Sequence, residues 1–344
     1  MATRYELGTV EASETLIYDL YISLRQRVRA WAAVTNQTAQ ARMGYIGQHL
    51  ASVVTGLSGG RSGARGKDLL LPDGGFAEIK TCYRVDQLGK CNSCHAVVAS
   101  IEEECPKCGS KDLQRNDDSK WLIGIRNEDE FRRILDPQFY VLVLFDFIDL
   151  ATPDTIRASI WRVETKIPGF AYCVIDYRLN IQAKSASKAP FNLWPYQLKF
   201  DLMRPLLIYR SLIRKDDRVE TLVFPGRDKP EHNGLKPLPT YTRSTNLTTE
   251  KTRLFAEILG VRHGRSDTKN DLLRRIQDLI DRETFDLNFV IDALAYALYM
   301  PDIKLRLPKL PSDLLSKLPV MTQDGSSLPK IRRTQPAVAR PGDG

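Results

Sequence analysis

Four of the six cysteines fall within 18 residues, as Cys91-Asn92-Ser93-Cys94 and Cys105-Pro106-Lys107-Cys108. Each Cys-x2-Cys knuckle turns two sulfurs toward one point, and two such points complete a tetrahedral Zn2+ site. In a reducing compartment this clustering implies metal rather than disulfides. Four protein sulfurs leave no coordination position open, so the zinc is expected to be structural. Free thiols and an iron–sulfur cluster are the alternatives, and the ribbon-like spacing argues against both. His95 adjoins the first knuckle as a bystander, and Cys82 and Cys173 read as small buried apolar residues. A segment this short has little core of its own, so the metal must fold it, and the rest of the chain must carry it as an insertion at about 86–118.

That rest is large enough. The chain has 344 residues, enough for two or three domains, and is 42% hydrophobic and 27% charged. This composition excludes a disordered, collagen-like or disulfide-scaffold class. Lys and Arg number 50 against 42 Asp and Glu, a net charge of +8. The excess points to a polyanionic partner, though a merely basic protein would show it equally. No apolar run approaches the roughly 18 residues a membrane helix needs, and the first residues lack a signal-peptide core. A cytoplasmic protein with no membrane partner is expected.

Leu16, Leu20, Leu24, Val28 and Trp31 recur at helical spacing, which predicts a helix over 14–34 capped by Ser13. A second helix is predicted over 38–57, stopping at Gly59-Gly60. The runs 68–71 and 76–82, split by Pro72-Asp73-Gly74-Gly75, read as a β-hairpin. After the cysteine module come the segment 121–125, a short charged helix at 127–135, a strongly apolar strand at 139–145 and another at 156–164. The expected fold class is α/β: a mixed sheet flanked by helices, with a buried central strand. Expected domains are 1–223 with the insert, a Pro/Gly linker at 224–245, a helical region at 246–322 and a disordered tail at 323–344.

The hairpin carries the chemistry. Side chains alternate along a strand, so Glu78 and Lys80 share a face while Ile79 packs behind. Asp68, on the partner strand, joins that face if a three-residue loop at Asp73-Gly74-Gly75, with a glycine bulge, pairs it near Lys80; a two-residue turn would send it to the other face. Two carboxylates and a lysine on one rim suit Mg2+-assisted phosphodiester hydrolysis, because Mg2+ takes one or two carboxylates and keeps several waters. A surface salt-bridged hairpin is the bland alternative. Upstream, Arg61, Ser62, Arg65 and Lys67 lie among glycines, which let backbone approach phosphates; they are candidate DNA contacts. The Walker pattern fails, since Asp68 rather than Ser or Thr follows Gly66-Lys67.

The order helix, hairpin with Asp68 and Glu78-Ile79-Lys80, helix, apolar strand resembles the PD-(D/E)XK nuclease superfamily over about residues 14–150. Pro72-Asp73 also precedes Glu78-x-Lys80, but Asp73 reads as the hairpin turn, far from the rim. The resemblance implies Asp68, Glu78 and the Ile79 carbonyl as Mg2+ ligands, Lys80 as the residue that orients the attacking water, and a polar residue from the preceding helix, Gln48 or Glu14. With a zinc module directly after Glu78-x-Lys80, the string from Gly59 to Cys91 is most similar to the MamI-type enzymes among type II restriction endonucleases. This implies a homodimer cutting double-stranded DNA at a palindromic or interrupted palindromic site, 5′-phosphate and 3′-hydroxyl ends, and a partner methyltransferase. A repair, junction-resolving or modification-dependent nuclease of the same superfamily, or a non-enzymatic zinc-ribbon DNA-binding regulator, are the rivals. Residues 249–282 resemble a SAP-type DNA-binding helix–loop–helix; two ordinary packed helices would show the same periodicity. His263 reads as a loop residue.

Overall fold

The computed structural model describes residues 5–39, 45–60, 67–100, 102–116, 120–186, 189–192, 202–229, 231–232, 247–283, 285, 287–306 and 312. Its N-terminal helical rod runs from α1 (Val10–Leu16) through a π-helical stretch (Ile17–Ile22) into α2 (Ser23–Thr35). The cap is Thr9, whose Oγ1 accepts from the Ala12 N–H, and not Ser13 as expected. Ser13 is buried and donates to the Val10 carbonyl, so it serves the interior of the first turns. Helix α3 (Ile46–Thr55) closes on Gly56 at φ 70°, earlier than the Gly59-Gly60 stop the sequence suggested. Glycine enters the left-handed region without a Cβ clash, so the first one available ends the helix.

Strands β1 (Leu69–Leu70), β2 (Phe76–Tyr83), β7 (Phe139–Phe147), β8 (Ile156–Glu164), β10 (Leu206–Ile213) and β11 (Val219–Val223) lie side by side in that order. A short β12 (Glu231–His232) also pairs with β10. Neighbours are antiparallel except β2 and β7, which are parallel. A parallel pair needs a long crossover. Here it holds β3 (Leu88–Cys91), β4 (Val97–Ala99), β5 (Leu113–Gln114), β6 (Leu122–Ile123), which pairs with β9 (Phe191–Asn192), and helix α4 (Glu128–Arg133). Every residue of β7 is buried, which is why its sequence is apolar without alternation.

The two faces of the sheet are covered by different parts of the chain. On one, Ala77, Ile79, Val141 and Val143 pack with Ile17, Tyr21, Leu50 and Val54 of the N-terminal helices. On the other, Cys82, Tyr140, Leu142 and Leu144 pack with Trp121, Phe131 and helix α5 (Pro168–Asp176). That cluster continues without a break into α6 (Thr249–Ile258), α7 (Lys269–Arg282) and α8 (Leu287–Arg306). Trp121 is fully buried and its Nε1 donates to the Val143 carbonyl at 2.9 Å, pinning the 120–125 segment to the central strand. Burial of one such side chain contributes roughly 1.5–3 kcal/mol.

Helix α3 fixes strand β2 through Gly47. Its N–H donates to the Tyr83 hydroxyl at 2.8 Å, and a Cβ there would lie 2.2 Å from Thr81 Oγ1. Gly47→Val should therefore destabilise the protein by about 1–3 kcal/mol, the usual cost of overpacking. A lowered thermal midpoint checks this; an unchanged one would show that α3 and β2 can separate freely.

Candidate active site and cysteine centre

The hairpin register is Leu69↔Ala77 and Leu70↔Phe76. The Leu71 N–H donates to the Gly75 carbonyl at 2.9 Å, and the Gly74 N–H to the Leu71 carbonyl at 3.1 Å. The three-residue loop is therefore Pro72-Asp73-Gly74, with Gly74 at φ 80°, one residue earlier than expected. Proline presets the first turn position and glycine supplies the left-handed one. The shift places Asp68 opposite Glu78 instead of Lys80. Because it moves the pairing by two positions, the facing of Asp68 is unchanged.

Asp68 Oδ2 accepts from the Ile79 N–H at 2.8 Å, and Lys80 Nζ donates to Glu78 Oε2 at 2.8 Å. The Glu78 side chain is only 13% exposed and Lys80 23%. Glu78 Oε1 is buried and has no hydrogen-bond partner among the described residues. Burial pushes the Glu78 carboxyl above the usual range; the adjacent Asp68 adds to this, and Lys80 opposes it. A half-buried carboxylate with one unpartnered oxygen beside a second acid is costly unless a cation compensates it. The donor set, hard oxygens from Asp68 and Glu78, fits Mg2+. Ile79 turns its side chain to the α3 face, where it is buried.

Glu78 and Lys80 open into a cleft of about 520 Å3, also lined by Lys67, Phe76, Arg126, Glu130, Arg133, Asp136 and Tyr140. Lys67 Nζ sits 5.6 Å from the centre of the Phe76 ring, so the end of the basic glycine loop reaches the site. Arg61, Ser62 and Arg65 lie outside the described residues. The other polar candidates from the sequence go elsewhere. Asp73 caps the turn, accepting from the Gly75 N–H and from Gln138 Nε2, which holds its carboxyl below the usual range. Glu14 accepts from the Thr221 N–H of β11, and Gln48 rides on α3, which covers the opposite face of the sheet. Neither expected helix contribution is brought to the site. Its far wall, Arg126 to Asp136, was missed. The only signal in the sequence was the charge density of the 126–136 string.

The cysteine module is a small sheet in the order β4-β3-β5. The Cys91 and Cys108 sulfurs are 3.7 Å apart, Cys94 and Cys105 3.6 Å, and all four lie within 4.8 Å of one another. A tetrahedral site with Zn–S bonds near 2.3 Å has sulfur–sulfur edges of about 3.8 Å. The four cysteines could thus hold a metal ion. The residue after each knuckle, His95 at φ 59° and Gly109 at φ 69°, makes the same turn, its N–H donating to Cys91 and Cys105 carbonyls. His95 is a turn residue, outside the sulfur cluster. The Cys94 N–H draws the Cys91 thiol down to about 6. Although the Ser110 N–H favours a Cys108 thiolate, the neighbouring sulfurs push that group up to about 12. Four sulfurs this close do not all ionise without a cation between them.

A model of the MamI restriction endonuclease family matches residues 30–241. The chain belongs to this family. The match spans more than half the sequence and includes the hairpin, the four cysteines and the central strands. The type II restriction enzyme MamI of Microbacterium ammoniaphilum is 27% identical over 233 residues, covering 66% of this chain and 67% of that protein. No solved structure matches. This MamI-family protein is an enzyme, a type II restriction endonuclease, which sets aside the non-enzymatic regulator. Its helix–loop–helix at 249–282 has a capped second helix, with Thr268 and Asp271 bonding each other's backbone N–H. Arg275 grips Asp267 with both terminal nitrogens, and His263 lies 3.4 Å from Glu257 in the loop.

Proposed function

We propose that this MamI-family enzyme hydrolyses phosphodiester bonds of double-stranded DNA at the Asp68–Glu78–Lys80 rim, on a PD-(D/E)XK core. One observation carries the proposal: Asp68 and Glu78 stand opposite each other across a hairpin, Glu78 Oε1 is buried without a partner among the described residues, and the Lys80 amine lies 2.8 Å from Glu78 Oε2. The antiparallel hairpin followed by a helix-containing crossover to a parallel apolar strand supports the core assignment. Asp68, Glu78 and the Ile79 carbonyl would hold the metal. A bound Mg2+ would neutralise charge on the phosphate and lower the pKa of the attacking water. Lys80 orients that water for in-line attack, and Glu78 keeps the amine in place until substrate arrives. Arg61, Ser62, Arg65 and Lys67 bind the strand entering the cleft. The products carry 5′-phosphate and 3′-hydroxyl ends.

The cysteine centre binds Zn2+ as a structural ion. The enzyme acts in the cytoplasm as a homodimer on a palindromic or interrupted palindromic site, alongside a methyltransferase that protects host DNA. No helix among the described residues is long and apolar enough to cross a membrane. Incubating the purified protein with phage DNA and Mg2+ should give discrete fragments, and chelator should prevent them. A smear would point to a nonspecific nuclease of the same superfamily, and intact DNA would refute the assignment.

A further inference from the structure

We propose that Arg126 and Arg133 form a phosphate-gripping wall, holding the DNA strand beside the bond that is cut. The inference rests on the nuclease reading of the Asp68–Glu78–Lys80 rim and extends it to the far side of the same cleft. Both arginines line the cleft that Glu78 and Lys80 open into, one before helix α4 and one in its last turn. Asn127 caps α4, its Oδ1 accepting from the Glu130 N–H at 2.9 Å, and Phe131 and Ile134 anchor the helix in the core. The two guanidinium groups are thus carried on a fixed base.

The arginines of α4 divide by direction. Arg132 lies 3.7 Å from Glu128, which also meets Arg178, and none of these three lines the cleft. Arg133 faces the cleft. Arg126 pairs with Glu130, but its side chain is 78% exposed and the contact is 3.2 Å. An exposed pair of this kind is worth about 0–1 kcal/mol, so a phosphate can take the arginine from it. A guanidinium binds phosphate with two parallel N–H bonds, a stronger and more directional contact than an exposed carboxylate gives. Glu130 is itself held in place, accepting from the Arg126 backbone N–H at 2.7 Å. It therefore parks Arg126 at the wall while the cleft is empty. Lys67 lines the same cleft, so cations stand on both sides of Glu78.

The test measures binding of phage DNA across a salt series with Ca2+ in place of Mg2+, and cleavage with Mg2+. Arg126→Ala and Arg133→Ala should each weaken binding about tenfold at low salt and flatten the dependence of log affinity on log salt by about one. Each should leave the fragment pattern unchanged, because phosphate contacts carry no base information. Glu130→Gln keeps the backbone acceptor but releases Arg126, so it should bind several-fold tighter; Glu128→Gln, on the outer face, should bind like wild type. A gain in affinity cannot come from misfolding. If both alanine variants keep wild-type affinity and salt slope, or if Glu130→Gln binds no tighter, the wall is refuted while the nuclease reading stands. If the wild-type protein leaves phage DNA intact with Mg2+, the nuclease reading fails and takes the wall with it.

Discussion

Glu78→Ala will bind phage DNA and fail to cut it, with cleavage down about 10³-fold or more, and Asp68→Ala will do the same. Loss of a single preorganised electrostatic group in an active site costs about 10²–10³ in rate, and these two residues together are proposed to hold the metal as well. Comparing fragment yield with retained DNA affinity checks the expectation; cutting at the wild-type rate by either variant would remove the hairpin from the mechanism. The pH dependence has a definite sign. Burial holds the Glu78 carboxyl above the usual range, and only its carboxylate form can take a cation. At limiting Mg2+, cleavage should therefore fail on acidification before an ordinary glutamate would titrate. In the metal-free protein the linkage runs the other way. A carboxyl with a raised folded-state pKa contributes stability below its unfolded pKa and loses it as pH rises through the folded value. At neutral pH with chelator, Glu78→Gln should melt no lower than wild type, since the amide keeps an acceptor for Lys80 without the buried charge.

The geometry of this candidate site was legible because it is local. Glu78 and Lys80 sit two apart on one strand, and alternation alone puts them on one face. Asp68 needed only the parity of the hairpin, which survived a loop misplaced by one residue because the pairing moved by two. The cysteines were legible for the same reason, as their spacing is set within each knuckle. What the sequence did not reveal was long-range. The pairing of Glu14 with the Thr221 N–H spans 207 positions, and nothing near Glu14 foretells it. Which face of the sheet α3 covers, and hence the exclusion of Gln48, depends on Gly47 meeting Thr81 across separate elements. The cleft wall at Arg126 and Arg133 likewise arises only when the crossover folds back over β2. Periodicity marked α6, α7 and α8 as helices, yet their merging with the sheet's apolar cluster runs through α8 packed on α5, with α6 on α8 and α7 on α6.

Removing one sulfur should have the largest effect on folding, and a confined one. The module's own apolar cluster is Cys91, Val98 and Cys105, with Cys94, Ala96 and Leu113 against it, too little to offset the ordering of nearly thirty residues at roughly 1–2 kcal/mol each. Metal binding by such small modules is coupled to their folding, so the module is expected to hold its structure only with its metal. Cys94→Ala should therefore lose the metal and expose Lys107, Lys111 and Arg115 to trypsin. The wild-type module should resist, with Gly89 packed against the Gln114 carbonyl and Arg115 bonded to the Ser100 and Glu102 carbonyls. The main sheet should keep its melting transition, because both of its apolar clusters are built without the knuckles, apart from Ala99 at the edge of one. The module is tied to the rest of the chain by the buried ion pair of Asp86 with Arg25 of α2 and by Glu103 with Lys215 of the β10–β11 turn at 3.0 Å. Unfolding should thus stop near Asp86, leaving β2 and its acids in register. Metal analysis and the positions of the tryptic cuts measure both parts. A Cys94→Ala protein that still carries its metal and resists trypsin would mean the four sulfurs do not act as one site.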